Sequence, residues 1–340
     1  MSKRHAVLLI NLGSPRSTSV PDVRRYLREF LMDKYVIDLP WLFRALLVYG
    51  IILLTRPPKT AEAYKEIWTK AGSPLITTSK AQQSLLQSRV DFPVTLAMRY
   101  GEPSIEKTVQ SLVAQYPLLK SIHVIPLYPH YAMASTKTVE VLTKKIINRA
   151  KHTIKVSFQP PFYDDTNYLD AVASMMKPEM GKSDHLIFSY HGIPIRHLRK
   201  TDPTGRHCGS KNCCKHPSKA WETCYKYQTI VTTRKLAALL QLSEADYTIS
   251  YQSRLGNDPW ILPNTETVVR DLANRGVKRL GIVCPSFVSD CLETLEEVDM
   301  GLRDLFLENG GESFNYIPCL NTSDKWIQTL QGWVENHTRV

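Results

Sequence analysis

The sequence predicts an α/β protein of two similar halves, each a parallel sheet flanked by helices, with a cleft between them. Three observations carry this. Short, nearly continuous apolar runs such as Ala6 to Leu12 and Leu186 to Ser189 have the pattern of strands buried on both faces. They alternate at short spacing with stretches of helical periodicity, the rhythm of parallel strands joined by crossover helices. The rhythm restarts after Arg149, so the 340 residues divide into two domains of ordinary size. These are 1–150, completed by a terminal helix in 320–340, and 151–319.

The first half opens with the strand Ala6 to Leu12 and the turn Gly13-Ser14-Pro15. One glycine followed by a proline is no phosphate-binding fingerprint, so no dinucleotide is indicated. Val20 to Leu31 is helical, with Val23, Tyr26, Leu27 and Leu31 on one face. Ile37 to Leu54 is mostly apolar, but Asp38, Pro40, Arg44 and Gly50 interrupt it and its length barely spans a bilayer. A core helix and a lip touching a membrane surface or a greasy ligand both fit it. Arg56-Pro57-Pro58 is expected to break the chain before helical spacing resumes over Ala61 to Trp68. Thr78 or Ser79 then caps a helix through Leu86. Val94 to Met98 is a strand ending in Arg99-Tyr100-Gly101, and Ile105 to Tyr116 is a helix. Ile122 to Leu127 is the next strand, followed by Tyr128 and a helix capped at Ser135-Thr136 and running through Ile147. An arginine and a tyrosine at a strand end suit a carboxylate partner and an aromatic wall.

The second half runs strand Ile154 to Phe158, helix Tyr168 to Met176, strand Leu186 to Ser189, helix Thr229 to Leu240 and strand Tyr247 to Tyr251. Helix Thr265 to Arg275 and strand Leu280 to Val283 follow, then a helix beginning near Ser289 or Asp290, and a terminal helix near Lys325 to Glu335.

Composition narrows the function classes. Hydrophobic residues make up 43% and charged residues 22%, the balance of a globular chain without large-scale disorder. The net charge of +11 favours anionic partners, but Lys and Arg are spread along the chain and no nucleic-acid signature accompanies them. The N-terminus carries no cleavage-site pattern, and a reducing, cytoplasmic setting is expected. In that setting Cys208, Cys213, Cys214 and Cys224, four of the seven cysteines, gather in the segment 205–225 as a metal site more readily than as disulfides.

The stretch H-L-I-F-S-Y-H-G-I-P (185–194) delivers His191 to the carboxyl edge of a parallel sheet, where ligands bind in α/β folds. There it can take a proton near neutral pH or ligate a metal. After the last strand, Asp290, Glu293 and Glu297 fall at i, i+3 and i+7, so on an α-helix three carboxylates share one face. A histidine facing such carboxylates can bind a divalent cation or shuttle protons. Trp260, in a polar loop after Y-Q-S-R-L-G (251–256), suits either a flat aromatic ligand or the core.

These motifs resemble ferrochelatase. The resemblance rests on I-F-S-Y-H-G-I-P, Y-Q-S-R-L-G with W-I-L-P-N-T, and F-V-S-D-C-L-E-T-L. It extends to N-L-G-S-P (11–15), A-G-S-P-L-I (71–76), M-R-Y-G-E-P (98–103) and P-L-Y-P-H-Y (126–131), covering the chain in order. It implies two Rossmann-like domains of the chelatase type and a lyase that inserts Fe²⁺ into protoporphyrin IX to form protohaem, ending haem biosynthesis. A coproporphyrin III ferrochelatase and a non-catalytic porphyrin or haem carrier are the alternatives. It further implies His191 and Glu293 as the catalytic pair handling Fe²⁺, Glu297 and Asp290 as an acidic path for the metal, and a porphyrin wall from Leu12, Arg99, Tyr100, Tyr128, Trp260 and Phe287. Residues 37–54 resemble the family's apolar lip, which implies peripheral contact at the inner face of the membrane. Members occur as monomers and as homodimers.

The chain departs from the family's pattern at Cys291, where many relatives have histidine, and in the cysteine segment, which minimal members lack. Some members carry a [2Fe–2S] cluster, and the resemblance implies one on Cys208, Cys213, Cys214 and Cys224. Arg206, Lys211, Lys215 and Lys219 are expected to lower the thiol pKa values. The spacing is not the C-x2-C pairing of a zinc ribbon, but His207 and His216 keep a mixed Cys/His zinc site open.

Overall fold

The computed structural model describes residues 4–149, 154–254, 256 and 258–338. The predicted class is found: two four-stranded parallel sheets, each flanked by helices. The strands are β1 (His5–Asn11), β2 (Val94–Met98), β3 (Ser121–Pro126), β4 (Lys155–Phe158), β5 (His185–His191), β6 (Tyr247–Gln252), β7 (Arg279–Val283) and β8 (Ser313–Ile317). The sheets are ordered β2-β1-β3-β4 and β6-β5-β7-β8, the same winding repeated. In each, the first strand lies between the second and the third, so the order reverses beside β1 and beside β5. In open α/β sheets such a reversal is where the loops at the carboxyl ends splay and ligand crevices form.

Two compact units result, one of residues 1–127, 133–160 and 327–340, the other of 128–132 and 161–326. The assignment of 151–160 to the second domain is therefore corrected: Ser121 to Val124 of β3 pair in register with Lys155 to Phe158, which makes β4 the edge of the first sheet. Short length and partial exposure concealed its partner. The strand β8 is absent from the sequence reading. Its segment Ser313-Phe314-Asn315-Tyr316-Ile317 is a polar-interrupted edge strand, and it is fixed by pairing with β7 rather than by its own pattern.

Local chemistry accounts for most element ends. Ser19 accepts from the Asp22 N–H and Ser104 from Lys107, starting the helices Val20–Leu31 and Ile105–Gln115. Pro57 and Pro58 do not break the chain: they lie within the helix Leu53–Ile67. Pro57 cannot donate to Leu53 O, and Arg24 Nε supplies that carbonyl with a donor at 3.1 Å instead, which offsets part of the cost of the missing helical bond. Ser79 does not cap a helix but sits inside Pro74–Gln87, its hydroxyl donating to Leu75 O at 2.7 Å and accepting from Asn11 Nδ2 at 3.0 Å. The cap expected at Ser135-Thr136 is instead a π turn, Met133–Lys137, leading into Thr138–Arg149. Gly13 is obligatory: with φ of +108°, a Cβ there would lie 1.8 Å from Tyr100 O.

The segment 37–54 is no single helix. Trp41–Leu47 and the π turn form a surface element in which Ile37, Arg44, Val48 and Ile52 are buried. Trp41, Leu42, Phe43, Leu46, Ile51 and Leu54 are each more than half exposed. Among the described residues no helix is long and apolar enough to cross a membrane.

Candidate active site

The second unit collects the chemistry. β5 runs through to His191, two residues beyond the expected strand end, because His191 still pairs with Gln252 of β6. This leaves the imidazole half-buried at the carboxyl edge, beside the strand-order reversal. The main-chain N–H of His191 donates to Ser286 Oγ at 3.3 Å, and its ring stands edge-on to Phe287, centroids 6.3 Å apart. Trp260 packs on the next residue: a Cβ on Gly192 would lie 3.1 Å from the indole and 2.6 Å from Gln252 O. Glycine is what lets the indole lie against the main chain just after His191. Burial pushes the His191 pKa below its ordinary value, and the charge of Glu293 opposes this in part. At neutral pH the imidazole is neutral and able to accept a proton.

The acidic stretch is not the α-helix expected. Glu293–Leu302 is π-helical, with about 4.4 residues per turn rather than 3.6. Glu293 and Glu297, four apart, lie about a tenth of a turn from one line, much as they would on an α-helix. Asp290 precedes the helix and is turned away: its carboxylate accepts from Tyr316 Oη at 2.5 Å, Asn321 Nδ2 at 2.7 Å and the Cys319 N–H at 3.2 Å. It ties the loop to the end of β8 and does not extend the line of Glu293 and Glu297, a correction that follows from the missed strand.

Two residues without an assigned role organise this line. Gln252 accepts from Ser189 Oγ at 2.5 Å and donates to Glu293 O at 3.2 Å, connecting β5, β6 and the π-helix. Ser253, in the left-handed region at φ 66°, gives its N–H to Glu297 Oε1 at 2.7 Å and its hydroxyl to Oε2. Burial, with the charge of Glu293 adding to it, nevertheless pushes Glu297 up to about 7, against these two bonds. Their signal was the Y-Q-S-R-L-G motif itself (Leu255 lies outside the described residues). Cys291 is buried, and its thiol contacts the Glu293 carboxylate; burial and that charge hold it protonated.

In the first unit, Leu12 is half-buried after β1 and gives its carbonyl to the Tyr100 N–H at 2.8 Å. Tyr100 is fully buried, with its hydroxyl on Asp33 Oδ2 at 2.9 Å. Arg99 pairs with the same carboxylate, gives Nε to Thr138 at 2.8 Å and lies over the Tyr100 ring. In this arrangement Arg99 and Tyr100 form a closed network around Asp33, and Tyr100 offers a ligand no surface. Tyr128 is half-buried directly after β3 and belongs to the second unit.

The cysteine segment joins the helix Ile195–Thr201 to the helix Tyr225–Leu239. Asp202 nucleates it, accepting from the N–H groups of Thr204, His207 and Cys208 at 2.7–2.8 Å. Burial would raise its pKa, but these bonds hold it at about 2. Thiol contacts run Cys208–Cys224–Cys214–Cys213 as a chain. Among the described residues no three His, Cys, Asp or Glu side chains are gathered as a set that could hold a metal ion. The expected lowering is overturned at two of the thiols: burial pushes Cys208 up to about 11, and the Cys224 contact with burial raises Cys214. Arg206, Lys211, Lys215 and Lys219 all point to solvent, where water screens them. His207 is committed through Nε2 to Cys213 O at 2.9 Å, and His216 is exposed.

Comparison with known proteins places this geometry. The family model described as Ferrochelatase matches residues 4–338. The ferrochelatase of Pseudomonas fluorescens (strain Pf0-1) is 47% identical over 330 residues, covering 96% of each chain. That of Opitutus terrae is 47% identical over 334 residues, covering 97% of this chain and 96% of the other. Among solved structures, SirB from Bacillus subtilis with Fe³⁺ shares the fold with a TM-score of 0.55 at 12% identity, covering 98% and 94%. With its motifs in order, its two parallel sheets and near-complete coverage, the chain belongs to the ferrochelatase family.

Proposed function

We propose that this family member is a lyase that inserts Fe²⁺ into protoporphyrin IX to give protohaem, with His191 and Glu293 handling metal and protons at one site. The observation that carries the residue roles is the placement of His191 at the carboxyl end of β5, beside the strand-order reversal of the second sheet, with Glu293 close enough for its charge to act on the imidazole. Metallation exchanges two pyrrole protons for one Fe²⁺. A histidine held neutral by burial accepts a proton at cellular pH. Glu293 supplies a hard oxygen ligand and a counter-charge for the imidazolium so formed. Glu297, pushed up to about 7 and nearly in line with Glu293, holds or releases a proton near neutrality and suits onward transfer. Trp260 and Phe287, beside the histidine, supply apolar wall for a flat macrocycle.

The test is anaerobic insertion of Fe²⁺ into protoporphyrin IX, followed by loss of porphyrin fluorescence. Turnover is expected in the native protein and its collapse in His191→Ala and Glu293→Gln. Undiminished turnover in both variants refutes the assignment. Tight binding without turnover of either protoporphyrin or coproporphyrin leaves a carrier.

Two finer readings accompany it. Four thiols match the donor set of a [2Fe–2S] cluster in type and number, although among the described residues no three are gathered as a set that could hold a metal ion. Bound, such a cluster would supply structural cross-linking or one-electron chemistry, and no step of metallation is routed through it. Equimolar acid-labile sulfide and iron, lost in Cys214→Ser, is the supporting measurement. The exposed apolar face of residues 41–54 suits shallow insertion at a membrane surface. Flotation with phospholipid vesicles, abolished by Trp41→Ser with Leu46→Ser, tests it.

A further inference from the structure

We propose that Tyr225 is a positioning residue for His191 and that Cys224, its chain neighbour, ties that position to the cysteine segment. The inference rests on the reading of His191 as the proton- and metal-handling group. Its basis is the way one helix docks. Tyr225–Leu239 meets the sheet through hydroxyl groups, not through an apolar stripe. Thr229 Oγ1 meets Tyr251 Oη at 2.9 Å, and Thr233 Oγ1 meets Tyr190 Oη at 2.7 Å. Tyr225, Thr229 and Thr233 are spaced four apart, so they form one line along the helix. The first member of that line reaches the site: the buried Tyr225 hydroxyl contacts Ser286 Oγ and the main-chain N–H of His191. That N–H is also the donor to Ser286 Oγ. The three groups fix the peptide that carries the imidazole.

The other end of the connection is covalent. Cys224 is the N-cap of the helix, buried, and its thiol contacts both Cys208 and Cys214. The segment behind it is closed on itself, with Thr223 Oγ1 donating to Thr201 O at 2.6 Å and Gln228 Nε2 to Glu222 O at 2.9 Å. Trp221 stacks on Tyr227 at 4.0 Å. A helix seated by directional hydroxyl contacts cannot slide without breaking them. The cap therefore sets where the Tyr225 hydroxyl stands. Whatever the four thiols hold, or whether they are cross-linked, acts on Cys224 one residue from the group that orients His191.

The experiment is a double-mutant cycle on the full chain with Tyr225→Phe, Cys224→Ala and the pair, read by steady-state metallation and by amide hydrogen exchange over residues 189–193. Tyr225→Phe is expected to lower kcat about tenfold, the worth of one hydrogen bond, with KM for porphyrin unchanged and exchange accelerated to a similar degree. Cys224→Ala is expected to lower kcat severalfold, and the pair to be no worse than Tyr225→Phe alone, because both act through the same hydroxyl. Additive losses would show that the cysteine acts elsewhere and would sink the coupling. Native kcat and native exchange in Tyr225→Phe would overturn the positioning role. Cys224→Ser is carried alongside, so that loss of folding in Cys224→Ala does not decide the outcome. His191→Ala is the control: if it retains turnover the site assignment fails, whereas an inactive His191→Ala beside a native-like Tyr225→Phe refutes this inference alone.

Discussion

Replacing Ser253 by alanine removes one of the two donors that hold Glu297, and the consequence can be worked from the geometry. The hydroxyl donates to Oε2 while the Ser253 N–H holds Oε1. A hydrogen bond to an ionised group contributes about 1.5–3 kcal/mol, and partial access of water to a half-buried carboxylate returns some of that. Taking about 1.4 kcal/mol as the net loss, the Glu297 pKa rises by about one unit. It starts at about 7, so its midpoint moves to about 8 and the ionised fraction at pH 7 falls from about a half to about a tenth. The sign is fixed, because the lost bond favours only the charged form. The assay is infrared difference titration of the buried carboxylate band, assigned by its disappearance in Glu297→Gln. An unchanged or lowered midpoint refutes the assignment of Ser253 as the group holding this carboxylate. Ser253→Gly sharpens the test. It shifts the carboxylate equally but relieves the left-handed backbone at φ 66°, so it is expected to be more stable than Ser253→Ala by about 1 kcal/mol.

Two other perturbations address the first unit. His123 is buried, stacked on His337 at 3.9 Å, and hydrogen-bonded through Nδ1 to Ser157, which also binds His337. Burial and His337 push His123 down to about 4 from 6.5, so the unfolded chain binds the proton first. Stability is complete above pH 6.5 and is lost as pH falls towards 4, by about 3 kcal/mol, a loss that denaturant titration at several pH values should find flattened in His123→Gln. Arg99→Met strands the buried Asp33 charge and is expected to cost about 3–5 kcal/mol in thermal or chemical unfolding, whereas Arg99→Met with Asp33→Leu recovers most of it. An equal cost in the double variant would refute the network reading.

What the sequence made legible follows range. β1, β5 and β7 were readable because strands buried on both faces must be apolar throughout, a property of the segment alone. His191 was readable because a histidine at the end of such a strand can lie only at the carboxyl edge. The helix starts at Val20 and Ile105 were readable from apolar spacing, and the caps that the structure adds there, Ser19 and Ser104, are equally local: a cap needs only a hydroxyl and a free N–H. The prolines at 57 and 58 misled, because part of their cost is met by a residue distant in sequence: Arg24 donates to the Leu53 carbonyl that Pro57 leaves without a helical donor. The acidic run misled differently: Glu293 and Glu297, four apart, share a face on either kind of helix, whereas Asp290 lies before the helix and its carboxylate is taken up by Tyr316, Asn321 and the Cys319 N–H.

The remainder belongs to tertiary structure. The strand β8 exists because β7 offers it an edge, and with β8 comes the loop that draws Asp290 out of the acidic line. Ser253 and Gln252 gain their roles only when β6 ends beside the π-helix. The Cys208 pKa turned on burial, a quantity no linear neighbour reveals, and the four cations nearby in sequence are solvated. The sequence by itself determined the class, the repeated winding and the residue types at the site. Which of those side chains are charged, aligned or already engaged was decided by packing, because a pKa and a hydrogen bond depend on distances that only the folded chain sets.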